Sequence, residues 1–161
     1  MELKIRKAEP KDIKTFLEFT KGLADFERMS ELVVATEDSL HHWIFERKTA
    51  YLLIGEVGGK PVATALYFYN FSTFEGVAGI YLEDLYVLPK YRGKGYGTAI
   101  LRYLAKLAVE EGCARFEWVS LDWNEQAIRI YKNLGAVAHP EWLLFRLDGE
   151  ALLNFSKGDI E

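Results

Sequence analysis

The chain has 161 residues, about one domain's worth, of which 50% are hydrophobic, 14% aromatic and 27% charged, the balance of a soluble globular protein rather than a disordered or fibrous one. A formal net charge of -4 leaves no broad basic face for a phosphate backbone, so nucleic acid is not an expected partner. A single cysteine, Cys113, excludes an internal disulfide, and His41, His42 and His139 form no spaced cluster with it, so no metal is expected.

Residues 2–7 alternate apolar with charged side chains, which predicts a strand and not the apolar stretch of a signal peptide. No later run approaches the length of a membrane span, so a cytoplasmic protein without a membrane partner is expected. Pro10 opens a segment with Ile13, Phe16, Leu17, Phe19, Leu23 and Phe26 at helical spacing, the first helix. Thr36, followed by Glu37 and Asp38, is an N-cap with an acidic first turn, and Leu40, Trp43 and Ile44 give the second helix its apolar stripe. Two β-rich runs, 50–57 and 61–70, flank Gly58-Gly59-Lys60, a hairpin signal.

A looser stretch over 72–79 leads to a strand over 81–88, ended by Pro89. The glycine-rich run 91–97 then enters a helix that Gly112 closes. A strand is expected over 115–121. Asn124 caps a short helix with Glu125 in its first turn and Gly135 just past its end, and a last strand is expected over 142–147. The order β-α-α-β-β-β-α-β-α-β implies an α/β fold, a mixed sheet with helices on both faces, in one domain spanning 1–161.

The run Tyr91-Arg92-Gly93-Lys94-Gly95-Tyr96-Gly97-Thr98 lies between a strand and a helix. Alternate glycines admit backbone conformations closed to other residues, so successive N–H groups can converge on an anion at a helix N-terminus, and Arg92 and Lys94 add charge. This device suits a pyrophosphate. It is not a P-loop, which needs Lys and then Ser or Thr after the last glycine, nor a dinucleotide fingerprint, which has a different glycine spacing and follows a chain's first strand.

The run does carry the Arg-x-x-Gly-x-Gly signature of the GCN5-related N-acetyltransferases. Together with Tyr81-Leu82-Glu83-Asp84-Leu85-Tyr86-Val87 and Asn124-Glu125-(x)5-Tyr131-Lys132-x-x-Gly135-Ala136, it makes nearly the whole chain resemble the diamine and polyamine members of that family, the spermidine/spermine type. The resemblance implies acetyl-CoA as donor, a small cationic amine as acceptor and a homodimer. A lysine-like amino acid of the thialysine type is the alternative acceptor. A non-catalytic acyl-CoA-binding regulator would keep the loop but lack the proton-handling residues.

Acetyl transfer from a thioester to an amine needs a neutral nitrogen, stabilisation of a developing oxyanion and a proton for the departing thiolate. The resemblance implies that Tyr131 protonates the sulfur. A tyrosine at helical spacing is ordinarily core, and its place in the Asn-Glu-(x)5-Tyr-Lys pattern singles it out. Glu83 is implied as the group that binds the amine and relays its proton through water. Strict alternation sends Glu83 and Asp84 to opposite faces unless a bulge intervenes, which leaves Asp84 structural.

Cofactor contacts are implied for the backbone of Leu85, Tyr86 and Val87, for Arg92, Gly93, Lys94, Gly95, Tyr96, Gly97 and Thr98, and for Asn124 and Tyr131. The amine groove is expected to include Phe26, Glu27, Glu83, Glu117, Val119 and Trp142. Phe26 stands where the resembled family has tyrosine, a loss of one hydrogen bond worth about 0.5–1.5 kcal/mol. Cys113, between a helix-ending glycine and a strand, reads as a small core residue rather than a nucleophile.

Overall fold

In the computed structural model, which describes residues 2–158, the N-terminal alternation becomes β1 (Lys4–Lys7). The described chain divides into two units, Met1–Val119 and Ser120–Glu161. The first contains α1 (Ile13–Phe26), α2 (Glu37–His41) continuing as a wider turn over His42–Glu46, β2 (Tyr51–Val57), β3 (Lys60–Ser72), β4 (Val77–Val87), α3 (Tyr96–Glu110) and β5 (Phe116–Glu117). The second contains α4 (Glu125–Asn133) and α5 (Gly149–Ser156).

The strand order is β1-β2-β3-β4-β5, antiparallel throughout except for β4 and β5, which run parallel. A parallel pair needs a crossover, and α3 supplies it. β1 lies at one edge, where its charged side chains discourage pairing with another chain. No helix among the described residues is long and apolar enough to cross a membrane.

Adjacent strand residues point to opposite faces, and this separates the helices. Phe16 of α1, Ile44, Leu52 and Ile54 form a buried cluster on one face, with Leu40 and Leu66 packed against it. On β4, Tyr86 meets α1: its ring lies 5.7 Å from Phe19, and a methyl group on Gly22 would come within 2.5 Å of its hydroxyl. Its neighbour Leu85 lies against Gly97 of α3. The two helices therefore cover opposite faces. α3 buries Ile100, Leu101, Leu104 and Ala108, and each of the larger side chains contributes roughly 1.5–3 kcal/mol.

An ionic knot closes the N-terminal corner. Arg6 donates from its two Nη atoms to Asp12 at 2.7 and 2.9 Å and from Nε to Glu56 at 2.8 Å. These bonds hold the Asp12 carboxyl below the usual range and raise the Arg6 guanidinium further.

Three expectations need correction. The looser stretch over 72–79 is half strand: β3 runs to Ser72 and β4 begins at Val77, and the connection narrows to a turn over 73–76 in which the Gly76 N–H bonds the Ser72 carbonyl at 2.8 Å. The strand expected over 115–121 shortens to Phe116–Glu117. The strand expected over 142–147 does not form, and α5 follows instead. A strand exists only through its partner, and the second unit holds two helices and no described strand to pair with.

The close approach at Gly22 makes a stability prediction. Gly22→Ala gains roughly 1 kcal/mol of helix propensity, yet its methyl group displaces the buried Tyr86 ring, an overpacking cost of about 1–3 kcal/mol. We expect a net loss of stability in urea titrations, partly restored by adding Tyr86→Phe. A Gly22→Ala protein more stable than its parent would contradict the contact.

Candidate active site

The site begins with an extra residue. Leu66 pairs with Asp84 while Tyr67 pairs with Leu82, so Glu83 is a bulge with no partner of its own on β3. Directly opposed residues share a face. Asp84 therefore joins Leu66 and Tyr86 on the α1 face, and Leu82 joins Tyr67 on the other. On the far side of β4 the ladder to β5 ends at Tyr81 and Glu117. From Leu82 to Val87 no described strand pairs with that edge, so its outward N–H and C=O groups can take an extended ligand arm.

The glycine loop lies at the end of this free edge. Pro89–Tyr91 forms a single tight turn, and Gly93 and Gly95 take φ of 73° and 78° before α3 begins at Tyr96. Only glycine adopts such angles without strain. A methyl group at either position would meet nothing within 4 Å, so the space over the loop is open. The backbone geometry fits a pyrophosphate at a helix N-terminus. Arg92 reaches elsewhere: its Nε donates to the Val87 carbonyl at 2.8 Å, and its guanidinium carbon lies 5.1 Å from the Phe26 ring centre and 5.3 Å from that of Tyr86. The Lys94 ammonium lies 5.3 Å from the Tyr91 ring centre.

Carboxylates gather where α1 ends. The helix terminates through Arg28 in the left-handed region, φ 60°, with the Met29 N–H on the Ala24 carbonyl. Phe26 and Glu27 sit in this last turn. Burial raises the Glu27 carboxyl. Burial, then the charges of Glu83 and Glu27, push the half-buried Asp84 up to about 6. Glu83, on the bulge, is exposed. Asp84, which alternation alone sets aside as structural, thus shares the charged cluster. Bulges leave no fixed mark in a sequence, so nothing in the alternation could have placed it there.

Glu117 is already engaged: it accepts from Arg115 at 2.7 Å and from Asn70 at 2.9 Å, tying β5 to β3. Val119 lies beyond the short β5 ladder. In the second unit, Asn124 caps α4 by accepting from the Ala127 N–H at 3.4 Å, Tyr131 lies on that helix, and the Ala136 N–H closes the helix end on the Tyr131 carbonyl past Gly135, φ 93°. Trp142 lies in an irregular stretch before α5.

These features can be set beside known proteins. Residues 17–136 match the acetyltransferase (GNAT) family. The chain belongs to that family. It is 37% identical to a mouse thialysine N-epsilon-acetyltransferase over 92% of this chain and 94% of the relative. It is 31% identical to a human spermidine/spermine N(1)-acetyltransferase-like protein over 94% of this chain, though only 23% of that longer protein. A predicted acetyltransferase from Clostridium acetobutylicum, solved with acetyl-CoA, shares the fold at a TM-score of 0.74 and 22% identity, covering 90% of this chain and 96% of that one. The protein is an amine N-acetyltransferase of the GNAT type, a family whose acyl donor is acetyl-CoA.

The raised Asp84 carboxyl has a definite stability sign. An acid whose pKa climbs from 3.8 to about 6 on folding binds more protons folded than unfolded between those values, so it costs stability as pH rises through that window and throughout the range above it. At about 1.4 kcal/mol per unit, the cost reaches at most about 3 kcal/mol. Asp84→Asn should therefore raise Tm at pH 7.5 and leave it nearly unchanged near pH 4. Thermal melts at the two pH values decide, and an equal effect at both would show that the charge is not the cause.

Proposed function

We propose that the protein transfers acetyl from acetyl-CoA to a primary amine of a small cationic substrate, with the cofactor along the β4 edge and the amine on the α1 face of the same strand. The observation that carries this reading is the end of the β4–β5 ladder at Tyr81 and Glu117, which leaves a free edge leading from the bulge to the glycine loop. The family match runs from 17 to 136 across the boundary between the two units. That supports reading both as one catalytic domain.

The residues that would hold acetyl-CoA are the backbone of Leu85, Tyr86 and Val87 for its extended arm and the N–H groups of Gly93, Gly95, Tyr96, Gly97 and Thr98 for its pyrophosphate. When bound, it supplies an acetyl group activated as a thioester. A backbone N–H of the β4 edge polarises the acetyl carbonyl. Asp84 and Glu27 attract the ammonium, whose positive charge offsets their mutual repulsion. Glu83, exposed on the bulge, accepts the ammonium proton through water and returns it to solvent, which leaves a neutral nitrogen able to attack. The Tyr131 hydroxyl donates the proton that the departing sulfur needs.

Diamines and polyamines follow from the resemblance in the sequence. The mouse relative's name points instead to thialysine, an amino acid with a side-chain amine. Both present a primary ammonium to the same carboxylates. By the same resemblance we infer a homodimer.

Tyr131→Phe removes one hydroxyl and keeps the ring. General acid help is worth about 10² to 10⁴ in rate, so kcat should fall at least about a hundredfold while calorimetry finds acetyl-CoA bound as tightly as before. A kcat within about twofold of the parent would assign the proton to water or to another group.

A further inference from the structure

The ladder that closes the β4 edge has only two rungs, Ile80 with Phe116 and Tyr81 with Glu117. A strand of two residues is shorter than strands usually are, and side chains reinforce this one. Arg115 donates from Nε to Glu117 at 2.7 Å and from Nη2 to the Phe71 carbonyl at 3.2 Å. Asn70 donates from Nδ2 to the same Glu117 oxygen at 2.9 Å. β5 is thereby tied to two consecutive residues of β3, across the whole width of β4.

Neighbouring strands lie about 4.8 Å apart, so a link from β3 to β5 spans roughly 10 Å. Gly79 makes room for it. This glycine is paired with Asn70, and a methyl group there would come within 2.5 Å of Asn70 Oδ1 and 3.0 Å of Arg115 Cγ. The link also has a cost. Asn70 Oδ1 is buried with no hydrogen-bond partner among the described residues, and an unpaired buried acceptor lowers stability. A strand glycine and an orphaned amide oxygen thus meet at one point, as expected where placement matters more than stability.

What the link places is the closed end of the opening between β4 and β5. With the pyrophosphate at the glycine loop beyond Val87, an arm laid along the open edge runs back towards Leu82, and the acyl group is the part nearest the Tyr81–Glu117 rung. Past that rung β5 itself occupies the edge of β4. Each further methylene on the acyl group would have to part the ladder.

We propose that the Asn70–Glu117–Arg115 clamp fixes the closed end of this opening and so limits the transferred group to acetyl. This rests on the reading of the β4 edge as the acetyl-CoA site and deepens it. The three are positioning residues, which act through the placement of β5.

Calorimetry of the full chain with acetyl-CoA and with butyryl-CoA tests the clamp without relying on turnover. The parent should bind acetyl-CoA at least about tenfold more tightly, the scale on which a closed pocket rejects extra methylenes. In Asn70→Ala, and separately in Arg115→Gln, butyryl-CoA should bind more tightly than in the parent and bring the ratio to within about threefold, while acetyl-CoA affinity stays within about twofold. General damage to the fold does not produce a gain for the longer thioester. Thr36→Ala, which removes the α2 cap and lowers stability there, should leave the parent ratio in place.

A ratio unchanged in the clamp variants, a parent that binds both thioesters alike, or an equal shift in Thr36→Ala overturns the clamp and leaves acetyl-CoA binding standing. A folded parent that binds neither thioester brings down the acetyl-CoA site and the clamp with it.

Discussion

One residue too many in β4 organises the site. Because Glu83 has no partner on β3, the strand changes faces at that point. Ile80 and Leu82 lie towards the α3 layer and are buried there, whereas Asp84 and Tyr86 turn to α1. Without the bulge, the even-numbered residues of β4 would stay on one face, and Asp84 could not lie beside Glu27 while Leu82 packed with Tyr67. The β5 ladder ends two residues before the bulge. The bulge therefore sets the face that Asp84 and Tyr86 join, and it lies just past the point where the paired edge of β4 becomes open.

The architecture was largely legible because its signals are local. The Thr36 cap closes on Ser39 at 3.1 Å, the alternating runs form β2 and β3, and Gly112 and Gly135 end α3 and α4 in left-handed conformations. The short range of these signals is also their limit. Residues 142–147 have strand-like composition, but pairing depends on what lies alongside, and composition carries no record of that. The exchange of faces at Glu83 escaped for a similar reason: a bulge is settled between two strands, and neither sequence alone shows it.

The candidate groups were legible from motif, and their orientations were not. Arg92 stands in a phosphate-binding signature, yet its guanidinium turns to Phe26 and Tyr86, two residues that the sequence assigned to separate tasks. Glu117 looked free to line a groove, and its carboxylate ties strands together. At this end of the sheet the protein keeps features that work against its own stability: a carboxyl with a raised pKa, a glycine in mid-helix and a left-handed arginine. At the other end the Arg6 knot satisfies each of its charges. Such an imbalance is expected where groups are arranged for a ligand that neutralises them.

The central claim is that the open β4 edge and the glycine loop together receive acetyl-CoA. Hydrogen–deuterium exchange of the full chain with and without acetyl-CoA reads both at once. The account predicts that peptides covering 82–88 and 92–98 become protected by the cofactor, while β1 and β2, at the far edge of the sheet, exchange as before. Tight binding of acetyl-CoA with neither peptide protected would place the cofactor elsewhere and contradict the account.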